Sequence, residues 1–124
     1  MTFQLLSAAF VDLIHDEVLN PGELTGLAMN KSLEGALARV DNRLVYGMIE
    51  DVFDLAAAYA VAIAQGHCFN DGNKPTAYRV LQTCLDLHRL DYPDDETAIG
   101  PVIIRAAQGL LDEGELAHWL RIRA

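Results

Sequence analysis

At 124 residues and 52% hydrophobic, the chain has the size of one domain with one core, residues 1–124, and needs neither disulfides nor a metal to fold. Its net charge of −9 repels a phosphate backbone, and the nine Lys and Arg residues form no cluster beyond Arg121-Ile122-Arg123, which argues against nucleic acid as a partner. The longest nearly unbroken apolar run, Leu55 to Ala64, has ten residues where a bilayer span takes about 20, so no membrane helix is expected.

In chain order, Phe3, Leu6, Phe10, Leu13, Ile14 and Glu17 follow spacings of three and four, which predicts a first amphipathic helix ending before Asn20-Pro21-Gly22. Within it His15 reads as a partly buried helix residue. Residues Glu23 to Asn30 show no helical period and predict a long loop with room for a short extended piece. Ser32 can cap a second helix with Leu33, Ala36, Leu37, Val40, Leu44 and Val45 on one face, broken at Gly47. From Asp51 to Gln65 the chain is alanine-rich and apolar almost all round, as befits a central buried helix. Asp51 and Asp54 oppose the helix dipole in its first turn, and Gly66 is placed to end it.

A loop from His67 to Asn73 feeds a fourth helix that runs to about Leu90. After Asp91-Tyr92-Pro93, Asp94 or Asp95 can cap a fifth, with Ile99, Val102, Ile103, Ala106 and Leu110 on its apolar face and Pro101 in or near its first turn. A last helix, Glu115 to Arg123, is expected to bury Leu116, Trp119 and Leu120, with His88 and His118 at the surface. No strand-type alternation and no internal repeat compete. The predicted fold is all-α, a compact bundle of about six helices around the one near 51–65. Cys68 and Cys84 are read as free thiols packed as small apolar residues. The start, Met1-Thr2-Phe3-Gln4, lacks a basic n-region and a cleavage pattern, so a cytoplasmic location is expected.

The chemistry concentrates in His67-Cys68-Phe69-Asn70-Asp71-Gly72-Asn73-Lys74. A loop entering a helix N-terminus offers unpaired N–H groups and a positive dipole end to an anion, and Gly72 permits the close approach such a nest needs. Asp71 suits a hard cation such as Mg²⁺, Lys74 neutralises phosphate, and His67 suits a general base. Phe69 is expected to turn inward and pin the loop. Each residue alone has an ordinary explanation: a histidine at a helix end, an Asp-Gly turn, Asn73 as an N-cap.

Together they resemble the signature loop of the Fic family in its death-on-curing (Doc) toxin branch, H-x-F-x-D/N-G/A-N-K-R, with eight consecutive positions from His67 to Lys74 in agreement and Thr76-Ala77 also fitting. Looser agreement runs through Ile14-His15-Asp16, Gly26-Leu27, Leu37-Ala38-Arg39 and Asp54-Leu55-Ala56-Ala57. The resemblance implies a small all-α Fic fold with His67 as catalytic base, Asp71 as Mg²⁺ ligand, Gly72, Asn73 and Lys74 as the phosphate cradle, and Phe69 and Asn70 as supporting motif residues. Lysine at position 74, where the wider family has a second glycine, implies transfer of the ATP γ-phosphate in place of AMP. The acceptor in this branch is a threonine of translation elongation factor Tu, and a Phd-like antitoxin is the neutralising partner. The inhibitory pattern S/T-x-x-x-E-G/N of other members does not occur in the chain. Loop 23–30 lies where the family places a target-docking flap, although a plain connector would look the same.

Pro75 departs from the pattern. Arginine there would offer phosphate a planar fork of donors, whereas proline adds neither charge nor N–H. Proline is tolerated in a first helical turn, and Arg79 is one turn too far along to replace the fork. The expectation is therefore a Doc-type kinase weakened by Pro75. Two alternatives are an AMP transferase on the same scaffold and a catalytically silent module that still docks an antitoxin.

Overall fold

Ser7 opens the first helix, α1 (Ala8–Val18), by accepting a hydrogen bond from the Phe10 N–H at 3.1 Å. The structure is a computed structural model that describes residues 2–91 and 96–123, Glu96 by its backbone alone. Because the cap is at Ser7, Phe3 and Leu6 precede the helix, and the Leu6 N–H donates instead to the Tyr59 hydroxyl at 2.9 Å. The buried face of α1 is accordingly Val11, Ile14 and His15, with Leu13 turned out and 62% exposed. The expected stripe was thus rotated, since it was phased on residues outside the helix.

Ser32 caps α2 (Leu33–Val45) through the Gly35 N–H at 3.0 Å, and Leu33, Ala36, Leu37 and Val40 face the core. Val45, assigned to that face, is exposed at the helix end. There the Gly47 N–H bonds the Leu44 carbonyl, the Met48 N–H bonds the Arg43 carbonyl, and Gly47 takes φ 69°, which is how a glycine closes a helix.

The central helix is α3 (Val52–Gly66), in which every residue from Leu55 to Ala64 is buried. Six of the ten are alanine, so neighbouring helices approach closely, and α3 packs against α2, α4, α5 and α6. Asp51 is its N-cap, accepting from the Asp54 N–H at 2.9 Å. At the other end the left-handed residue is His67, φ 48°, one place later than expected. Gly66 is still helical and is glycine for space: a Cβ there would lie 3.2 Å from the Ala36 Cβ and 3.1 Å from the Cys68 Sγ.

Helix α4 (Asn73–Leu87) packs against α3 and α1. It stops short of Leu90 because Arg89 adopts φ 59°. His88, expected at the surface, is half-buried, with its Nδ1 2.7 Å from the Cys84 carbonyl and its Nε2 accepting from the Gln4 N–H at 2.9 Å. The expected Tyr92-Pro93 break and the Asp94 or Asp95 cap lie outside the described residues. Helix α5 (Glu96–Ala107) holds Pro101 in its interior, beyond the first turn, and ends before Leu110, which is exposed. Asp112 and Glu115 exchange side-chain bonds with each other's N–H groups, a capping box that starts α6 (Glu113–Arg123) two residues before the expected Glu115. Leu116 and Leu120 are buried as expected, but Trp119 is only half-buried, with the Arg123 guanidinium 4.1 Å from its ring centroid. Among the described residues there are six helices and no strand, and no helix is long and apolar enough to cross a membrane.

Candidate functional site

The α3–α4 junction brings the predicted residues to one place. A pocket of about 240 Å³ is lined by His67, Asn70, Asp71, Gly72, Asn73, Lys74, Pro75 and Ala64. His67 projects from the left-handed end of α3 and is exposed, as are Lys74 and Pro75 on the first turn of α4. Phe69 is 2% exposed and turns into the core, as expected.

The loop is fixed by a few bonds. Asn73 is the first residue of α4, not its cap: its Oδ1 accepts from the Phe69 N–H at 3.0 Å and its Nδ2 donates to the Phe69 carbonyl at 2.9 Å. Both ends of that amide therefore staple the loop, and what Asn73 presents to the pocket is its backbone. Gly72 is the cap position, with φ 79°, and no side chain caps the helix. Among the described residues the N–H groups of Gly72, Asn73 and Lys74 donate to nothing, and the next donor, the Thr76 N–H, bonds the Gly72 carbonyl at 3.0 Å. Pro75 falls between them, where it has no N–H to offer.

Loop 23–30 is pinned to this junction. Leu27 and Phe69 form an antiparallel bridge, framed by the Ala28 N–H on the Cys68 carbonyl at 2.7 Å and the Asn70 N–H on the Gly26 carbonyl at 3.2 Å. This is the short extended piece that the sequence left room for. The Asn70 Nδ2 donates to the Thr25 carbonyl at 3.0 Å, and the Asp71 Oδ2 accepts from the Leu24 N–H at 2.7 Å. The other Asp71 carboxylate oxygen accepts no hydrogen bond among the described residues. A carboxylate with one oxygen oriented and one free, beside three unused N–H groups and the Lys74 ammonium, is a donor set that fits a magnesium-bound phosphate chain. Leu24, Leu27 and Met29 project from the loop with 63%, 48% and 86% exposure.

Beneath the junction lies a residue whose importance the sequence understated. His15 is fully buried, its ring stacked on Phe69 with centroids 3.7 Å apart and planes 7° from parallel. Its Nε2 is 2.7 Å from the Asp71 carbonyl, and since a carbonyl can only accept, Nε2 carries the proton. Nδ1 is buried with no hydrogen-bond partner among the described residues and faces Asp16 Oδ1 at 3.7 Å. A Cβ on Gly72 would lie 3.1 Å from Leu19 Cδ2 and 3.5 Å from the His15 ring, so the turn sits directly on α1. The sequence signals were the looser family agreement at Ile14-His15-Asp16 and a histidine in phase with Val11, on the face that the capped helix buries.

Beside the pocket, sharing Lys74 and Pro75, an apolar recess of about 300 Å³ is lined by Tyr78, Ile99, Gly100, Ile103 and Ile104. The two free cysteines are remote from this chemistry in reactivity: burial pushes the Cys84 thiol up to about 12 and raises Cys68 as well.

Residues 5–85 match the sequence model of the Fic/DOC family. The chain is 32% identical over 109 residues to Protein kinase doc of Escherichia phage P1, an alignment covering 87% of this chain and 86% of that relative.

Proposed function

Because the chain belongs to the Fic/DOC family, we propose that it is a Doc-type toxin that transfers the γ-phosphate of ATP to a protein hydroxyl, with activity attenuated by Pro75. The observation that carries this reading is the convergence of His67, Asp71, Lys74 and three unused N–H groups on one pocket at the start of α4. His67 takes the proton from the attacking hydroxyl as its oxygen bonds to phosphorus, and the bond from the γ-phosphorus to the bridging oxygen of ADP breaks. Lys74 and the N–H groups of Gly72, Asn73 and Lys74 hold the charge that develops on the phosphate oxygens. Asp71 would hold Mg²⁺, which would supply positive charge to neutralise the phosphate chain.

The relative's name, a protein kinase, supports phosphoryl transfer over AMP transfer, as does Lys74. A threonine of elongation factor Tu is the proposed acceptor, which places the protein in the cytoplasm, with a Phd-like antitoxin as its proposed neutralising partner. The exposed Leu24, Leu27 and Met29 on loop 23–30, beside the pocket, support docking of a folded acceptor protein.

Pro75 specifically favours a second reading, a silent module that docks its antitoxin without turnover. Incubation of the chain with elongation factor Tu and ATP labelled at either the α or the γ position separates these readings. Label from the γ position that is lost in His67→Ala is expected. Transfer of α label would make the chain an AMP transferase, and no transfer even in Pro75→Arg would leave the binding module.

A further inference from the structure

The peptide that joins Asp71 to Gly72 has its polarity set from below. It is trans, so its carbonyl and its N–H point in opposite directions. The carbonyl is drawn toward α1 by the His15 Nε2–H at 2.7 Å. The Gly72 N–H must therefore face away from α1, on the side of the pocket that Gly72 lines, and it donates to nothing among the described residues. Glycine leaves this arrangement unprotected, because residue 72 can exchange φ 79° for a negative φ, which would turn the peptide over and aim a carbonyl oxygen into the pocket. Asp71 is also held by its side chain, through the Leu24 N–H, but that bond fixes the carboxylate and leaves the following peptide free to rotate.

We infer that His15 is a positioning residue that locks the Asp71–Gly72 peptide with its carbonyl facing α1 and its N–H facing the phosphate pocket. The ring is suited to this: it is sealed from solvent, held flat against Phe69, and its bond to a carbonyl fixes the proton on Nε2. The same contact steadies the backbone of the residue proposed to hold the cation, which is how an outer partner tunes a ligand it never shares with the metal. The inference rests on the phosphoryl-transfer reading for its purpose and on geometry alone for its existence.

The test pairs H15F, which keeps the ring and the stacking but loses the donor, with H15Q, whose amide N–H reaches about as far as Nε2–H. In the nucleotide-free protein, the Gly72 amide shift and its coupling to the α-protons report φ at that residue. H15F is expected to change both while leaving the amides of α6 in place, and H15Q to restore them. A ¹⁵N spectrum of His15 in the wild type should show Nε2 protonated. Calorimetric titration with Mg²⁺·ATP is expected to show roughly 10-fold weaker binding in H15F and near wild-type binding in H15Q. Unchanged Gly72 signals in H15F, or loss in H15Q equal to that in H15F, overturns the lock. If the wild type does not bind Mg²⁺·ATP, the phosphoryl-transfer reading falls and the Gly72 signals still decide the lock. Should H15F not melt cooperatively, H15M, which fills the space without a donor, takes its place.

Discussion

Pro75 and Asn73 share one helical turn and do opposite things to the site. On the proposed function, Pro75 forgoes a charge-assisted contact worth roughly 1.5–3 kcal/mol, so Pro75→Arg should raise label transfer and phosphate affinity by about 10- to 150-fold at unchanged melting temperature. Equal activity in both forms would show that the missing fork does not matter. Asn73 holds the N–H and the carbonyl of Phe69 together. Asn73→Ala leaves both unpaired in a part-buried turn, and a loss of about 1–3 kcal/mol in urea unfolding is expected, with Mg²⁺·ATP binding weakened as the loop loosens. At this scale the sequence showed residue types and spacing but not direction. It could place Asn73 in the cradle, yet not that its side chain faces back into the loop. It could mark His15 as a helix residue, yet its contact with Asp71 joins positions 56 apart along the chain and has no local trace.

Helix ends were legible where a local capping residue marks them, as at α2. Ser32 and Gly47 bound α2 where the sequence put them. The α6 start was placed late because Gly114 lies between Asp112 and Glu115 and hides the capping box they form. Asp51 shows a cap coupled to tertiary structure, since the Arg121 guanidinium reaches from α6 to both Asp51 and Asp54 at 3.0 and 3.2 Å. Burial pushes the Asp51 carboxyl up, but the Arg121 hydrogen bond and charge and the N–H groups of Asp54 and Phe53 outweigh it and hold the group below its ordinary value. A carboxyl that binds its proton less readily when folded stabilises the fold fully above the ordinary carboxylate range, and this is lost as pH falls through the lowered value. Asp51→Asn should therefore be less stable than the wild type at pH 7, by under roughly 1 kcal/mol because the pair is solvent-screened, with the gap closing in acid. A gap that stays constant with pH in chemical unfolding would assign the effect to the cap alone.

Across the whole molecule, one alanine-rich helix is enclosed by its neighbours, and this was readable because Leu55 to Ala64 offers no polar face to water. The close approach that the alanines permit is continued by Gly66 against Ala36, a contact that no periodicity encodes. Both thiols lie in this enclosed interior, at 2% and 0% exposure for Cys68 and Cys84. With the Cys84 thiol pushed up to about 12, it should be inert to a thiol reagent at pH 8 in the folded state and react fully in denaturant. Reaction of Cys84 under native conditions, timed against the unfolding rate, reports opening of the central packing, and rapid labelling would contradict the enclosed core.

Pro75 occupies a place in α4 where a missing N–H leaves no bond broken within the helix. Proline and arginine are thus alternatives that the fold does not discriminate between, and their codon families, CCN and CGN, differ at the middle base alone. A single transversion separates the two forms of the site. In a population of cells carrying this gene, variants with the arginine fork will arise at the ordinary rate of point mutation, with no structural adjustment required elsewhere in the chain.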